Sequence, residues 1–470
     1  MLITSWQFVG AVAVLLALYY ALPRRCQPWL LLLASYALYA SWSWHFPLVL
    51  LGLSLATYAI ARRLWSSPGR AWLVAGIAVN VAALALLKYA AFYVPSMLRG
   101  LGLTPGADLA KIFAVLLPVG LSYRVLENIS FLVDASRRQL DEFPGFPGFA
   151  LYTAYFAKLL SGPIERGRAF LGQLAQPRIV DNAALARAFT LIILGAMRKF
   201  VLSDSIRGQL PKNLFADTQQ VGWQLLFWVV ADVFVVYNDF AGYTDMARGV
   251  SGLFGIELTR NFSVPFFSRN FRELWLRWHA SLSLWLRDYI YLPASRALLR
   301  RGVRGNSPLN LVLPPVAAML VSALWHEASW HMLAWGLMWG VFLLGERIPT
   351  LWGPVVPPDK LPAWRQRLGM VRVVLLLGLT NILFEMDLAT AARFVRRALG
   401  VGHFGWAALS AAILIVVSLL VDWFQHHSRD EVVFCRWPLW LRSAALAIVM
   451  LALLLATQVN VATPFIYQHF

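Results

Sequence analysis

Eight histidines occur in the 470-residue sequence, and two of them sit where ionisable groups are rare. His279 lies in Arg277-Trp-His-Ala-Ser-Leu-Ser283 and His326 in Leu324-Trp-His-Glu327, at the end of an otherwise apolar run. An ionisable side chain within a membrane segment is costly, so its presence points to function; the plainer reading is a histidine satisfied by a backbone carbonyl. A neutral imidazole can take a proton from a hydroxyl as that oxygen attacks an activated acyl carbon. Burial favours the neutral form, and a dry site protects a thioester from hydrolysis. His45, before Pro47, and the adjacent His426-His427 read as solvated.

His326-Glu-Ala-Ser-Trp-His331 resembles the zinc signature His-Glu-x-x-His, but its histidines are five apart. Metal chelation on one helical face needs i and i+4. At i+5 the two side chains point about 140° apart on an unbroken helix. No metal site is therefore expected. Gly-x-Ser-x-Gly, the Walker lysine loop and Gly-x-Gly-x-x-Gly are also missing, which removes the commonest hydrolase, nucleotide triphosphatase and dinucleotide readings.

The elements that must carry these histidines follow from composition. Hydrophobic residues make up 59% and charged residues 14% of the chain, against about a quarter charged in soluble proteins. With a mean hydropathy of +0.62 and repeated apolar runs, the chain reads as an all-α polytopic membrane protein, lipid replacing water as the main solvent. Two cysteines, Cys26 and Cys435, cannot form a disulfide framework. The net charge of +18 does not indicate nucleic acid, because the basic residues fall in short loops between apolar runs. These are Arg24-Arg25, Arg62-Arg63, Arg137-Arg138, Arg300-Arg301 and Arg393 with Arg396-Arg397. Such spacing is what the positive-inside rule produces. The first basic pair follows the first apolar run, the reverse of a secretory signal, so that run is expected to stay as a span with the N-terminus outside.

Further spans are expected at Trp29–Trp44, Phe46–Ala61, Ala71–Val94, Ile112–Val133, Ala184–Met197, Val221–Tyr237, Leu309–Trp325, Ser329–Leu344, Val371–Phe384, Trp406–Phe424 and Ala444–Ala456. That amounts to about ten to twelve crossings at about 20 apolar residues each. Gly100–Lys111, Pro349–Arg367 and Gln425–Arg436 read as soluble. The apolar periodicity weakens between about Asp239 and Leu299. There Asn261–Asn270 reads as irregular backbone, and Phe271–Tyr291 as a helix with Trp275, Trp278, Leu282 and Trp285 on one face. Irregular backbone at membrane depth must be buried in protein or line a wet cavity, so function is expected in this middle third. The chain is read as a single domain, with N-terminal helices over 1–135, a catalytic core over 136–345 and C-terminal helices over 346–470.

Several ordered segments resemble the membrane-bound O-acyltransferase family, in its bacterial branch of alginate O-acetyltransferases and D-alanyl transferases. They are Pro118-Val-Gly-Leu-Ser122, Leu160-Ser-Gly-Pro-Ile-Glu-Arg166, Asp239-Phe-Ala-Gly-Tyr-Thr-Asp-Met-Ala247, Asn261-Phe with Pro265-Phe, Leu274 through Tyr289, Leu324-Trp-His326 and Thr463-Pro-Phe-Ile-Tyr467. The resemblance implies a helical bundle of the inner membrane with re-entrant and amphipathic helices and a central tunnel. It implies His326 as the catalytic histidine and His279 as its second. It also implies a co-substrate rather than a bound cofactor: an acyl thioester, acetyl-coenzyme A or an acyl carrier protein, arriving from the cytoplasm. The acceptor would be an extracytoplasmic glycopolymer, served by a periplasmic or extracellular partner protein.

Acetyl is the expected acyl group and D-alanyl the alternative; a glycan or lipid transporter is the rival from another class. His279 would hold donor or acceptor, or relay a proton. Trp278, Trp285 and Trp325 would line the tunnel or simply pack. Arg277 and Arg287 would hold donor phosphates or anchor to lipid headgroups. Asp239 and Asp245 would orient a histidine, or hold Arg248 or another arginine. The chain departs from its close alginate-type relatives at Leu292-Pro-Ala-Ser-Arg-Ala-Leu298, and at Glu327, where they commonly carry glycine.

Overall fold

The computed structural model describes residues 5–102, 118–176, 178, 180–216, 220–353 and 356–459. His469, Thr463–Tyr467, the start of the span expected from Ile112 and most of Gly100–Lys111 lie outside the described residues. Among the described residues all regular structure is helical. In chain order the helices are α1 (Trp6–Ala21), α2 (Gln27–Ala40), α3 (Phe46–Ser66), α4 (Arg70–Leu84), α5 (Ala90–Gly100), α6 (Leu121–Ser136), α7 (Phe146–Ala154), α8 (Gly167–Ala175), α9 (Asn182–Ala196) and α10 (Asp204–Gln209). They continue with α11 (Gln224–Gly252), α12 (Phe271–Arg277), α13 (Ala280–Leu286), α14 (Leu292–Arg300), α15 (Pro308–His326), α16 (Trp330–Arg347), α17 (Ala363–Glu385), α18 (Leu388–Ala398), α19 (Trp406–Ser428) and α20 (Leu439–Val459).

Seven of the described helical stretches are long and apolar enough to cross a bilayer: α3, α4 with its π turn to Tyr89, α11, α15, α17, α19 and α20 as far as Ala456. The other expected passes fall on helices outside that set. Two compact units are formed, one from residues up to Phe189 with Ala247–Thr259, the other from Thr190–Met246 with Arg260 onward.

In the first unit, α6 is buried along nearly its whole length. Arg124 and Glu127 of this helix join Lys158 and Glu165 in a charge-balanced network. The Glu127 carboxylate accepts from Arg124 Nη1 at 2.8 Å, from Lys158 Nζ and from the Glu165 amide at 3.0 Å. Arg124 Nη2 donates to the carbonyls of Lys158 and Leu159, and the Glu165 carboxylate accepts from the Thr259 amide and hydroxyl. The helix begins at Gly120, φ 76°, where a Cβ would stand 2.2 Å from the Leu159 carbonyl. The segments 118–122 and 160–166 thus act here as a structural joint, because buried charges persist only when paired and hydrogen-bonded.

In the second unit, α15 and α16 form a hairpin. Ser307 caps α15 and Ser329 caps α16, each accepting from the amide three residues on. Gly336 and Gly340, one turn apart on α16, allow the close approach: a Cβ at Gly336 would meet the Met319 carbonyl at 2.8 Å, and one at Gly340 would meet Val316 Cγ2 at 2.9 Å. Small residues spaced by four are the usual means of packing helices tightly in lipid.

Three expectations are corrected. Asp239 lies buried inside α11, where a lysine stands in place of the expected arginine: Lys199 Nζ reaches it at 2.7 Å and Asp204 at 2.8 Å. Next to it, Arg198 Nη2 donates to Asp422 Oδ1 at 2.6 Å. The helix expected over Phe271–Tyr291 is broken at Trp278-His279. Arg393, Arg396 and Arg397 are not a loop cluster but belong to α18, which Asp387 caps and which buries Ala391, Phe394 and Ala398. That helix follows the C-terminal end of α17, whereas Arg365, Arg367 and Arg372 lie toward the other end of α17.

Candidate active site

His326 is the last residue of α15, and His279 is the second of the two residues between α12 and α13. Both lie in the second unit and are buried, at 5% and 2% exposure. Trp325 touches both: its ring centroid is 6.1 Å from the His279 imidazole and 4.8 Å from that of His326. Phe240 stands edge-on to His279 at 4.8 Å. Phe384 and Trp335 flank His326 at 5.3 and 6.0 Å. The histidines that composition singled out are therefore brought together in an aromatic, water-poor setting. Past His326 the helix breaks, so Glu327 is half exposed and His331 faces Ser329 Oγ at 3.2 Å and Glu327 at 3.9 Å.

A cavity of about 1100 Å³ opens beside this layer, and its wall carries Arg269, Arg272, Arg287, Arg347 and Arg372. Glu346 is the one carboxylate among the described lining residues. It accepts from Arg372 at 2.7 Å and from the Phe271 amide at 2.9 Å. On α15 the wall is made by Leu311, Pro315, Ala318 and Met319. This stripe continues, by helical spacing, through Ser322 to His326, about 22 Å from Leu311 along the axis. Trp275 also lines the cavity and packs against Trp335, 6.2 Å away, which itself contacts His326. The cavity wall thus ends at Met319, and the same face of α15 carries the buried His326 about two turns further on. That arrangement suits an anionic carrier with a long, thin acyl arm.

Residues 19–382 match the MBOAT, or membrane-bound O-acyltransferase, family. The chain belongs to this family. It is similar to the probable alginate O-acetylase of Azotobacter vinelandii, at 32% identity over 71% of this chain and 66% of that protein. It is similar to the peptidoglycan O-acetyltransferase of Helicobacter pylori, at 26% over 67% and 63%. A teichoic acid D-alanyltransferase of Streptococcus thermophilus is 30% identical over 48% of this chain and 56% of its own. Each match spans less than two thirds of the relative's length.

The remaining candidates of this MBOAT chain divide. Trp325 is at the centre. Trp278 lies one residue from His279 but packs against Tyr237, Phe262 and Phe266. Arg287 lines the cavity and pairs with Asp288 at 2.8 Å. Arg277 lies off the cavity wall and donates to the Phe267 carbonyl at 3.4 Å. Asp239 and Asp245 are ion-pair partners, of Lys199 and Arg198 respectively. Trp285 packs on Tyr289.

Residue-by-residue reading missed Phe240, Trp335, Phe384 and four of the five cavity arginines. Phe240 stood unremarked inside the segment Asp239–Ala247, and Trp335 left a trace as one of two tryptophans spaced by four in α16.

Proposed function

We propose that this chain is an O-acyltransferase that moves a short acyl group, acetyl, from a cytoplasmic thioester to a hydroxyl of an extracytoplasmic glycopolymer or of a partner protein serving it. The observation that supports this reading is that one helix, α15, lines the arginine-rich cavity with Leu311, Pro315, Ala318 and Met319 and ends at the buried His326. The arginines would hold the phosphates of a pantetheine carrier, coenzyme A or an acyl carrier protein, by charge-assisted hydrogen bonds. On this reading the arginine-rich end faces the cytoplasm of a bacterial inner membrane, as the positive-inside rule favours.

His326 would act as general base. Its neutral imidazole takes the proton as the acceptor oxygen bonds to the acyl carbon. The carbon–sulfur bond then breaks, and the proton is passed to the departing thiolate. Trp325, Trp335 and Phe384 would keep water from competing for the thioester. His279, reaching Trp325 from the opposite side of the sequence break, would hold the substrates or relay the proton.

Transfer of D-alanyl is the second reading, favoured by the relative of that name. Purified protein, offered radiolabelled acetyl and D-alanyl thioesters together with cell-envelope polymer, tests both. Acetyl label reaching the polymer supports the proposal, D-alanyl label alone supports the second reading, and no transfer of either overturns both in favour of a transporter.

A further inference from the structure

A helix leaves its first amide N–H groups without intrahelical acceptors. The ordinary remedy is a Ser, Thr, Asp or Asn at the residue before the first turn. Ser5, Asn270, Ser307, Ser329 and Asp387 do this for α1, α12, α15, α16 and α18. Helix α13 has His279 at the capping position and, like α3 with His45 there, no side-chain cap of its own.

Its amides are served from another segment. The Ala280 N–H donates to the Asn261 carbonyl at 2.8 Å, and the Ser281 N–H to Asn261 Oδ1 at 3.3 Å. Just upstream, the Ser263 N–H donates to the Arg277 carbonyl at 2.9 Å. The stretch 261–263 therefore grips the chain on both sides of Trp278-His279. That grip matters because His279 has left-handed backbone, φ 44° and ψ 52°. A residue with a side chain stays in that region only when its surroundings over-determine it, and such outliers gather at functional sites. Val264, which closes the gripping segment, is left-handed as well, φ 47°.

We propose that Asn261 is the positioning residue for His279: it takes over the capping of α13, so the capping position is free to carry an imidazole, and it holds that imidazole in the left-handed turn against Phe240 and Trp325. The inference rests on the reading above that His279 works in transfer. Asn261 is buried at 1% exposure, and its Nδ2 makes no hydrogen bond among the described residues. Its acceptor side therefore does the work. Aspartic acid, near-isosteric with asparagine, keeps that acceptor oxygen.

The test compares two near-isosteric variants of the full chain in the thioester transfer assay. Asn261→Leu, which lacks an acceptor, should lower kcat about ten- to hundredfold through misplacement of one group, with KM for the thioester unchanged. Asn261→Asp should stay within a few-fold of wild type. Equal activity of the two variants, whether both high or both low, overturns the proposal. If Asn261→Leu does not accumulate, Asn261→Ser against Asn261→Ala makes the same comparison. His279→Ala separates the two levels: an active wild type, an inactive His279→Ala and an active Asn261→Leu would remove this inference alone, whereas a fully active His279→Ala would remove the role given to His279.

Discussion

The Trp325 indole packs against the His279 imidazole at 6.1 Å between ring centroids, although Trp325 lies in the last turn of α15, directly before His326, and His279 in the break between α12 and α13. One side chain is thus the common wall of both histidines. Trp325→Phe should keep a ring in contact with both and leave transfer within a few-fold of wild type. Trp325→Ala should open a void costing about 3–5 kcal/mol and remove most activity. Turnover and thermal unfolding of the two purified variants check this.

The cavity arginines should act on donor binding and not on the chemical step. Arg272 lines the cavity and is exposed. Arg272→Glu is expected to raise KM for the thioester by about ten- to hundredfold, since a hydrogen bond to a charged group is worth about 1.5–3 kcal/mol, while kcat holds. The wild-type KM should also rise with salt as the charges are screened. A thioester titration at two ionic strengths measures both effects.

The hairpin that carries His326 depends on the absence of a side chain at Gly336. Gly336→Leu should force α16 away from the Met319 carbonyl and Ala323. Overpacking of this kind costs about 1–3 kcal/mol. The expected result is a lowered unfolding temperature with a larger loss of activity than Gly345→Leu, whose Cβ meets nothing within 4 Å.

The long lipid-facing elements were legible because their apolar runs are uninterrupted. The span read at Leu309–Trp325 is the helix Pro308–His326, and Trp406–Phe424 is Trp406–Ser428. Both histidines were legible from residue type, since an imidazole in an apolar run stands out. The break at Trp278-His279 was not, because the local pattern is helical and the interruption is imposed by Asn261 from another segment. Nor was the cavity, whose arginines at 269, 272, 287, 347 and 372 come from separate stretches and meet only in the folded bundle. The lysine partner of Asp239 was not legible either, because Lys199 lies 40 residues earlier and meets it only in the folded chain.

The central claim is that His326, at the end of α15, takes the proton from the acceptor hydroxyl. The most direct measurement is acyl transfer by purified His326→Ala, set beside wild type under saturating thioester. The account predicts loss of turnover by about 10²–10⁴-fold, the contribution of a general base, with normal membrane insertion and with the thioester still bound. Turnover close to wild type in a properly inserted His326→Ala protein would contradict it.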